Sequence, residues 1–163
     1  MTGFTSVSNY LSEREKTVTV EENRRVVLDA CERIDQRNFP ALFDLMADNG
    51  TWTYPIRSDR FRDGGRKDKT DAQATLEGFL NGFVEFSFVV RSVTAENDRV
   101  AIEATAHGVG PEGVEYTNNP LLMFRLENGK LAEVTEALDP FEVLAYVEQL
   151  SEAHTSQGAE AKL

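Results

Sequence analysis

The stretch GKLAEVTEALDPFEV, Gly129 to Val143, decides how this chain is put together. Ala132, Val134 and Leu138 share one parity and are apolar, as a half-buried strand requires, and Glu136 falls in the same set. Period-2 alternation therefore puts a carboxylate on the core-facing side of a sheet. A second carboxylate marks the exit: Asp139 suits an N-cap, Pro140 the first helical position, and Glu142 completes a capping box. The strand is expected to pass directly into a helix.

Reading upstream, E-N-G at 127–129 is a hairpin signal joining that strand to a long one over 115–126. Before it come a G-P-E-G turn, a strand over 99–109, an E-N-D turn and a strand over 86–93. Ala72, Leu76, Phe79, Leu80 and Phe83 form the apolar stripe of a helix from about 71 to 83. A charge-rich loop, 57–71, precedes it, and TWTYPI, 51–56, reads as a strand with Trp52 and Tyr54 on one face. D-N-G at 48–50 breaks a short helix opened by Pro40 and carrying Phe39, Leu42, Phe43 and Met46. A first helix starts at Thr19, where T-V-E-E makes a capping box, and buries Val27, Ala30, Cys31 and Ile34 until Asn38 ends it.

Downstream, a final helix over 140–150 carries Phe141, Leu144, Val147 and Leu150, and 151–163 is a polar tail. Residues 1–18 form an N-terminal arm, mobile or packed as a short helix. Helices, then an antiparallel meander, then a closing helix make an α+β domain over 19–150. The sheet must curve around its helices, which leaves a cone-shaped pocket.

Composition narrows the partners. The chain has 163 residues, ample for one domain with a real core, and a net charge of −11. That balance argues against nucleic acid, which needs clustered Lys and Arg, and against an anionic membrane surface. One cysteine, Cys31, excludes an internal disulfide and a Cys-rich zinc site; it reads as a small hydrophobe on the first helix. Only two histidines are present, His107 and His154, with no metal-ligand spacing, so no metal is expected. No apolar run reaches ~18 residues and no basic-then-apolar leader opens the chain, so the expected location is cytoplasmic.

The ordered set of M-A-D-N-G, T-W-T-Y-P, Y-T-N and F-R-L-E-N-G-K-L-A-E-V-T-E-A-L-D resembles the nuclear transport factor 2-like superfamily. The nearest branch is the SnoaL-like one, with ketosteroid isomerases, polyketide cyclases and limonene epoxide hydrolases. The resemblance covers about Val20 to Leu150 and implies a cone of helices on a strongly curved, mostly antiparallel sheet with an internal pocket. It does not carry a ready-made mechanism. The steroid isomerases' oxyanion tyrosine falls on Ala30 or Cys31, their base on Tyr54 and their acid on Leu122. The epoxide hydrolase relay falls on Ala104, Ala106 and Glu136, of which only the last is acidic.

Glu136 is the candidate catalytic residue, because a carboxyl in an apolar pocket has its pKa raised toward neutrality and becomes a usable general acid or base. The competing reading makes it part of a structural polar cluster, bonded to a Tyr or Asn or paired with an arginine of the 57–66 loop. Tyr116, Asn118, Pro120, Leu122 and Phe124 share the pocket-facing parity of the long strand, opposite Val100, Ile102, Ala104 and Ala106. Trp52, Tyr54, Tyr116, Asn118, Leu122, Phe124 and Leu138 are therefore the expected ligand contacts. Glu103, Thr105 and His107 should point outward, with His107 a rim or interface residue. Arg57, Arg60, Arg62 and Arg66 are either solvated charge or a lid attracting an anionic or carbonyl-rich ligand. Leu121 and Met123 fall on the outer face, which implies a homodimer covering it.

The expected function is binding of a small, mostly apolar organic molecule, with or without acid/base chemistry of isomerase, cyclase, dehydratase or epoxide hydrolase type. It needs no cofactor, since no phosphate-cradling glycine motif occurs. The alternative is a non-catalytic ligand-binding or dimeric assembly module of the same fold.

Overall fold

The computed structural model describes residues 18–160, so the expected N-terminal arm lies outside the described residues except for Val18. Among those residues are four helices: α1 (Val20–Asp35), α2 (Phe39–Asp44), α3 (Lys69–Leu80) and α4 (Pro140–Glu160). The strands are β1 (Met46–Tyr54), β2 (Gly65–Asp68), β3 (Glu85–Glu96), β4 (Arg99–Val109), β5 (Glu115–Asn118), β6 (Leu121–Glu127) and β7 (Lys130–Ala137). They form one sheet in the order β2-β1-β7-β6-β4-β3, with β5 paired to β4. Only β1 and β7 run parallel; every other pair is antiparallel. The sheet curls strongly, and the architecture is the expected α+β cone.

Local chemistry explains most element ends. Thr19 and Glu22 make the reciprocal capping box, at 3.1 Å to the Glu22 amide and 2.8 Å back to the Thr19 amide. Asn38 caps α2 by accepting from the Ala41 amide. The E-N-G hairpin turns through two consecutive left-handed residues, Asn128 (φ 50°) and Gly129 (φ 75°), the geometry that lets a two-residue loop match strand twist. Core-facing and outward residues alternate along β4 as expected, with Val100, Ile102, Ala104 and Ala106 all buried.

Four boundaries differ from the sequence reading. D-N-G at 48–50 does not stop a helix but lies inside β1, where the register with β7 shifts between Met46 and Thr51. A Cβ on Gly50 would sit 2.6 Å from Met46 Cγ and 2.8 Å from the Ala47 carbonyl, so that irregularity admits glycine alone. The charged loop contains a short strand, β2, paired antiparallel to β1, and Asp68 rather than Asp71 caps the following helix. The 115–126 segment is two strands, interrupted at Asn119–Pro120 because proline has no ladder donor. The buried parity survives the break: Tyr116, Asn118, Pro120, Leu122 and Phe124 are all buried. Finally, α4 runs to Glu160 instead of ending at Leu150, so part of the expected polar tail is helical.

The helices pack on the concave face. α1 lies against β3, β4 and β7, α3 against β1 and β2, and α4 against β5. Trp52, Val100, Leu122, Phe124, Leu131 and Val134 are among the most deeply buried residues and fill the closed part of the cone.

Candidate active site

The open part of the cone holds a cavity of about 80 Å³, room for several waters or a small organic group. Its walls come from separate elements: Ile34 of α1, Leu76 and Phe79 of α3, and Phe86 and Phe88 of β3. Ala106, Tyr116, Asn118 and Pro120 close another side, and Val143 of α4 with Leu138 sits near the strand exit. Phe79, Tyr116 and Tyr146 meet edge to face at 5.3 to 6.1 Å, a contact that ties α3, β5 and α4 together behind that wall.

Glu136 stands at the polar end of this cavity. β7 delivers it there through two registers. On one side it pairs with Leu122 of β6. On the other, Trp52 pairs with Val134 and Thr53 with Thr135 of β7, and continuing that parallel register brings Tyr54 beside Glu136. Trp52 Nε1 donates to Glu136 Oε2 at 3.0 Å, and the Tyr54 hydroxyl is a second partner of the carboxyl. Burial pushes the Glu136 pKa up to about 7, against the opposing pull of the Trp52 and Tyr54 donors. The residue keeps some accessible surface, and it is one that lines the cavity. Burial first, then the neighbouring Glu136 charge, push the Tyr54 hydroxyl well above its ordinary range, so Tyr54 stays protonated as a donor. Burial raises the Tyr116 hydroxyl too, with Asn118 as a hydrogen-bond partner.

Trp52, Tyr54, Tyr116, Asn118, Glu136 and Leu138 therefore all line one cavity. Leu122 and Phe124 do not. Both face inward as their parity requires, but they are 1% exposed and packed in the core beyond the cavity wall. Leu122 matters there as the strand neighbour that helps keep water from Glu136, and Phe124 pairs with Val134 deeper in the cone.

Asn118 has a more specific duty than lining. Its Nδ2 donates to the Asp139 carbonyl at 2.8 Å and its Oδ1 accepts from the Asp139 amide at 3.0 Å. Asp139 Oδ1 in turn accepts from the Phe141 amide at 2.9 Å, so Asp139 is the N-cap expected of it. The return half of the capping box assigned to Glu142 is taken by Asn118 instead. One buried amide thus fixes the passage from β7 to α4 at Asp139, three residues beyond Glu136.

Much of the cavity wall was not among the expected contacts. Phe61 and Asp63 come from the charge-rich loop, and Thr75 and Phe86 from α3 and β3. A lone apolar residue in a run of charge was the available signal for Phe61, which is buried. The loop's arginines are exposed and line no part of the cavity, and Arg57 is spent on Asp59 at 3.0 Å from Nε to Oδ1. The Glu136 cluster is thus held by an indole and a phenol, not by an arginine. His107 lies on the outer face, its Nδ1 3.1 Å from the Thr117 hydroxyl, and Cys31 is a buried thiol whose pKa desolvation pushes up to about 12. Among the described residues no three His, Cys, Asp or Glu side chains are grouped to hold a metal, and no helix is long and apolar enough to cross a membrane.

The chain matches a family profile over residues 27–134, described as a SnoaL-like domain. The chain belongs to the SnoaL-like domain family. The solved structures it resembles share the nuclear transport factor 2-like fold. One is an NTF2-like protein of unknown function from Burkholderia pseudomallei, 19% identical, with TM-score 0.67 over 77% of this chain and 96% of that one. Another is TerC, co-crystallised with polyporic acid, 16% identical with TM-score 0.68 over 78% of this chain and 98% of that one. A third is Bal32a from a soil-derived mobile gene cassette, 20% identical with TM-score 0.63 over 73% and 90%. At these identities the likeness speaks for the fold alone. No curated protein matches the chain.

Proposed function

We propose that this SnoaL-like protein is a cofactor-independent acid/base enzyme acting on a small, mostly apolar organic molecule bound in the cone. The reaction class is proton transfer at carbon or oxygen, as in isomerisation, dehydration, cyclisation or epoxide opening. One observation carries the reading: a carboxyl bonded only to neutral donors lines an aromatic cavity, where burial pushes its pKa up to about 7. A group poised there is half ionised at neutral pH and can both take and return a proton in one cycle. Tyr54 and Trp52 orient it, Tyr116 offers a protonated hydroxyl on the same cavity, and Asn118 positions the strand exit that carries it.

The test is a carbon-detected NMR titration of Glu136, its resonance assigned with Glu136→Gln. A value of about 6 or above supports the acid/base role and directs a turnover screen to lactones, enones and epoxides. A value near ~4.3 or below removes it. The two hydrogen bonds that satisfy the carboxyl favour one rival, a non-catalytic ligand-binding module in which Glu136 is a structural acceptor; Glu136→Gln would then leave ligand affinity nearly intact.

We also assign the outer sheet face to a homodimer contact. Leu121 and Met123 are 52% and 54% exposed there, beside Ala101 and Ala137 on the neighbouring strands. Sedimentation at micromolar concentration should give about twice the chain mass, and a lone 18.2 kDa species would refute the contact.

A further inference from the structure

The charges around the cavity are one-sided. Glu136 and Asp63 both line it, and both raise the cost of ionising the Tyr54 hydroxyl between their fields. Among the described residues no Lys, Arg or His lines it at all. The positive charges nearest in sequence, on the loop that supplies Asp63, are exposed at Arg60, Arg62 and Arg66, and Arg57 is already paired. The rest of the wall is unusually rich in rings: Trp52, Tyr54, Phe61, Phe86, Phe88 and Tyr116, with Phe79 a seventh. Each aromatic face presents the negative lobe of its quadrupole, which attracts a cation most strongly where water is excluded. A cationic guest is the chemistry that meets two carboxyl groups and a wall of rings at once.

We propose that the ligand of this cavity carries a positive charge, an amine or quaternary ammonium group on an apolar body, seated against the aromatic rings with Glu136 and Asp63 as its counter-charges. This rests on the reading of the cone as a small-molecule site and names the class of molecule it takes. Of the two readings of the loop arginines, solvated charge or a lid drawing an anionic ligand, their exposure fits the first, and the loop gives the cavity a phenyl ring and a carboxylate instead. The acceptor end also fits: Glu136 is faced by the neutral donors Trp52 and Tyr54, and Tyr116 and Asp63 are the other titratable groups on the wall, so a guest cation meets no rival charge.

The test uses three probes of nearly one shape that differ in charge: choline, 3,3-dimethyl-1-butanol and 3,3-dimethylbutanoate. Trp52 is the chain's single tryptophan and sits on the cavity wall bonded to Glu136, so its fluorescence reports occupancy, with calorimetry as the second readout. At pH 8 and low ionic strength choline should bind the wild-type chain at least about tenfold more tightly than the neutral alcohol, and the carboxylate should not bind. That preference should weaken as pH falls through about 7, where Glu136 takes up its proton. Asp63→Asn and Glu136→Gln should each shrink it several-fold while leaving the alcohol's affinity nearly unchanged. Equal or tighter binding of the alcohol or of the carboxylate overturns the proposal, and leaves the acid/base reading standing if Glu136 still titrates near 7. Binding of none of the three also overturns it, and a Glu136 titration near its ordinary value would then remove the acid/base reading as well.

Discussion

Glu133 and Glu136 lie three residues apart on β7, on opposite faces of one sheet, and their pKa values move in opposite directions. Glu133 is on the solvent side, 2.9 Å from Arg125 Nη2, and that hydrogen-bonded guanidinium lowers its pKa. Glu136 is on the cavity side, bonded to an indole and a phenol, and burial raises it to about 7. Neutral donors steady a carboxylate but do not neutralise it, so desolvation wins inside and ion pairing wins outside. The same face-to-face contrast holds for the neighbours Leu121, half exposed, and Leu122, fully buried. A strand of ordinary sequence thus carries a carboxyl stabilised as its anion on one side and one held toward its neutral form on the other.

The largest break in that comparison should come from Glu136→Gln. It keeps the shape and the Trp52 contact but removes the proton, so turnover on a cognate substrate should drop by roughly 10²-fold or more, read as kcat under saturating substrate. Glu133→Gln on the other face should leave kcat unchanged.

Leu122→Ala should destabilise the fold by about 2–5 kcal/mol in a denaturant melt, since it opens a hole beside Trp52 and Glu136 in packed core. Leu121→Ala, one residue away but half exposed, should change the melt by no more than about 0.5 kcal/mol in a single protomer. If Leu121→Ala instead costs concentration-dependent stability, the outer face is an interface.

Stability should also respond to pH with opposite signs at the two glutamates. For Glu136 the folded pKa lies above the unfolded one, so the native state holds a proton that the unfolded chain has lost between about 4.5 and about 7. Stability from this group therefore declines as pH rises through that window and levels off above it, by roughly 3 kcal/mol at most. Glu136→Gln should flatten the decline and make the variant more stable than wild type at pH 8. The smallest effect belongs to Glu133. Its folded pKa is depressed, so its contribution is present above the unfolded value near 4.5 and fades as pH falls through the lower folded one. Because the pair is exposed, Glu133→Gln should shift the melting temperature little, and less still in high salt.

Much of this contrast was written locally. The alternation Ala132, Val134, Glu136 by itself puts a carboxyl on the inner face, and the inner parity 116–124 holds across the break at Pro120. The parity did not say how far the cavity reaches. Leu122 and Phe124 face inward yet line only core, because where a cone stops being packed depends on how the side chains of α1 and β3 fill it. Asp139 was legible as a cap from its place before Pro140, whereas its amide partner was not: Asn118 competes with Glu142 from 21 residues away and wins. The strand β2 and the cavity residues Phe61 and Asp63 were hidden in a run of charge, where composition favours a solvated loop.

The sequence by itself determined the order of the helices and the longer strands, the hairpin at Asn128–Gly129, the buried parity of β4, β6 and β7 and the presence of one acidic residue on the inner face. These follow from periodicity, capping and turn chemistry, which act over a few residues. Only the tertiary structure decided what that carboxyl meets. Trp52 reaches Glu136 across 84 residues, through a parallel β1–β7 pairing and a bulge at Gly50 that set the register, and the loop before α3 brings a second carboxylate to a wall of rings. Such meetings depend on how the sheet closes on itself, and closure is a property of all the pairings together rather than of any one stretch.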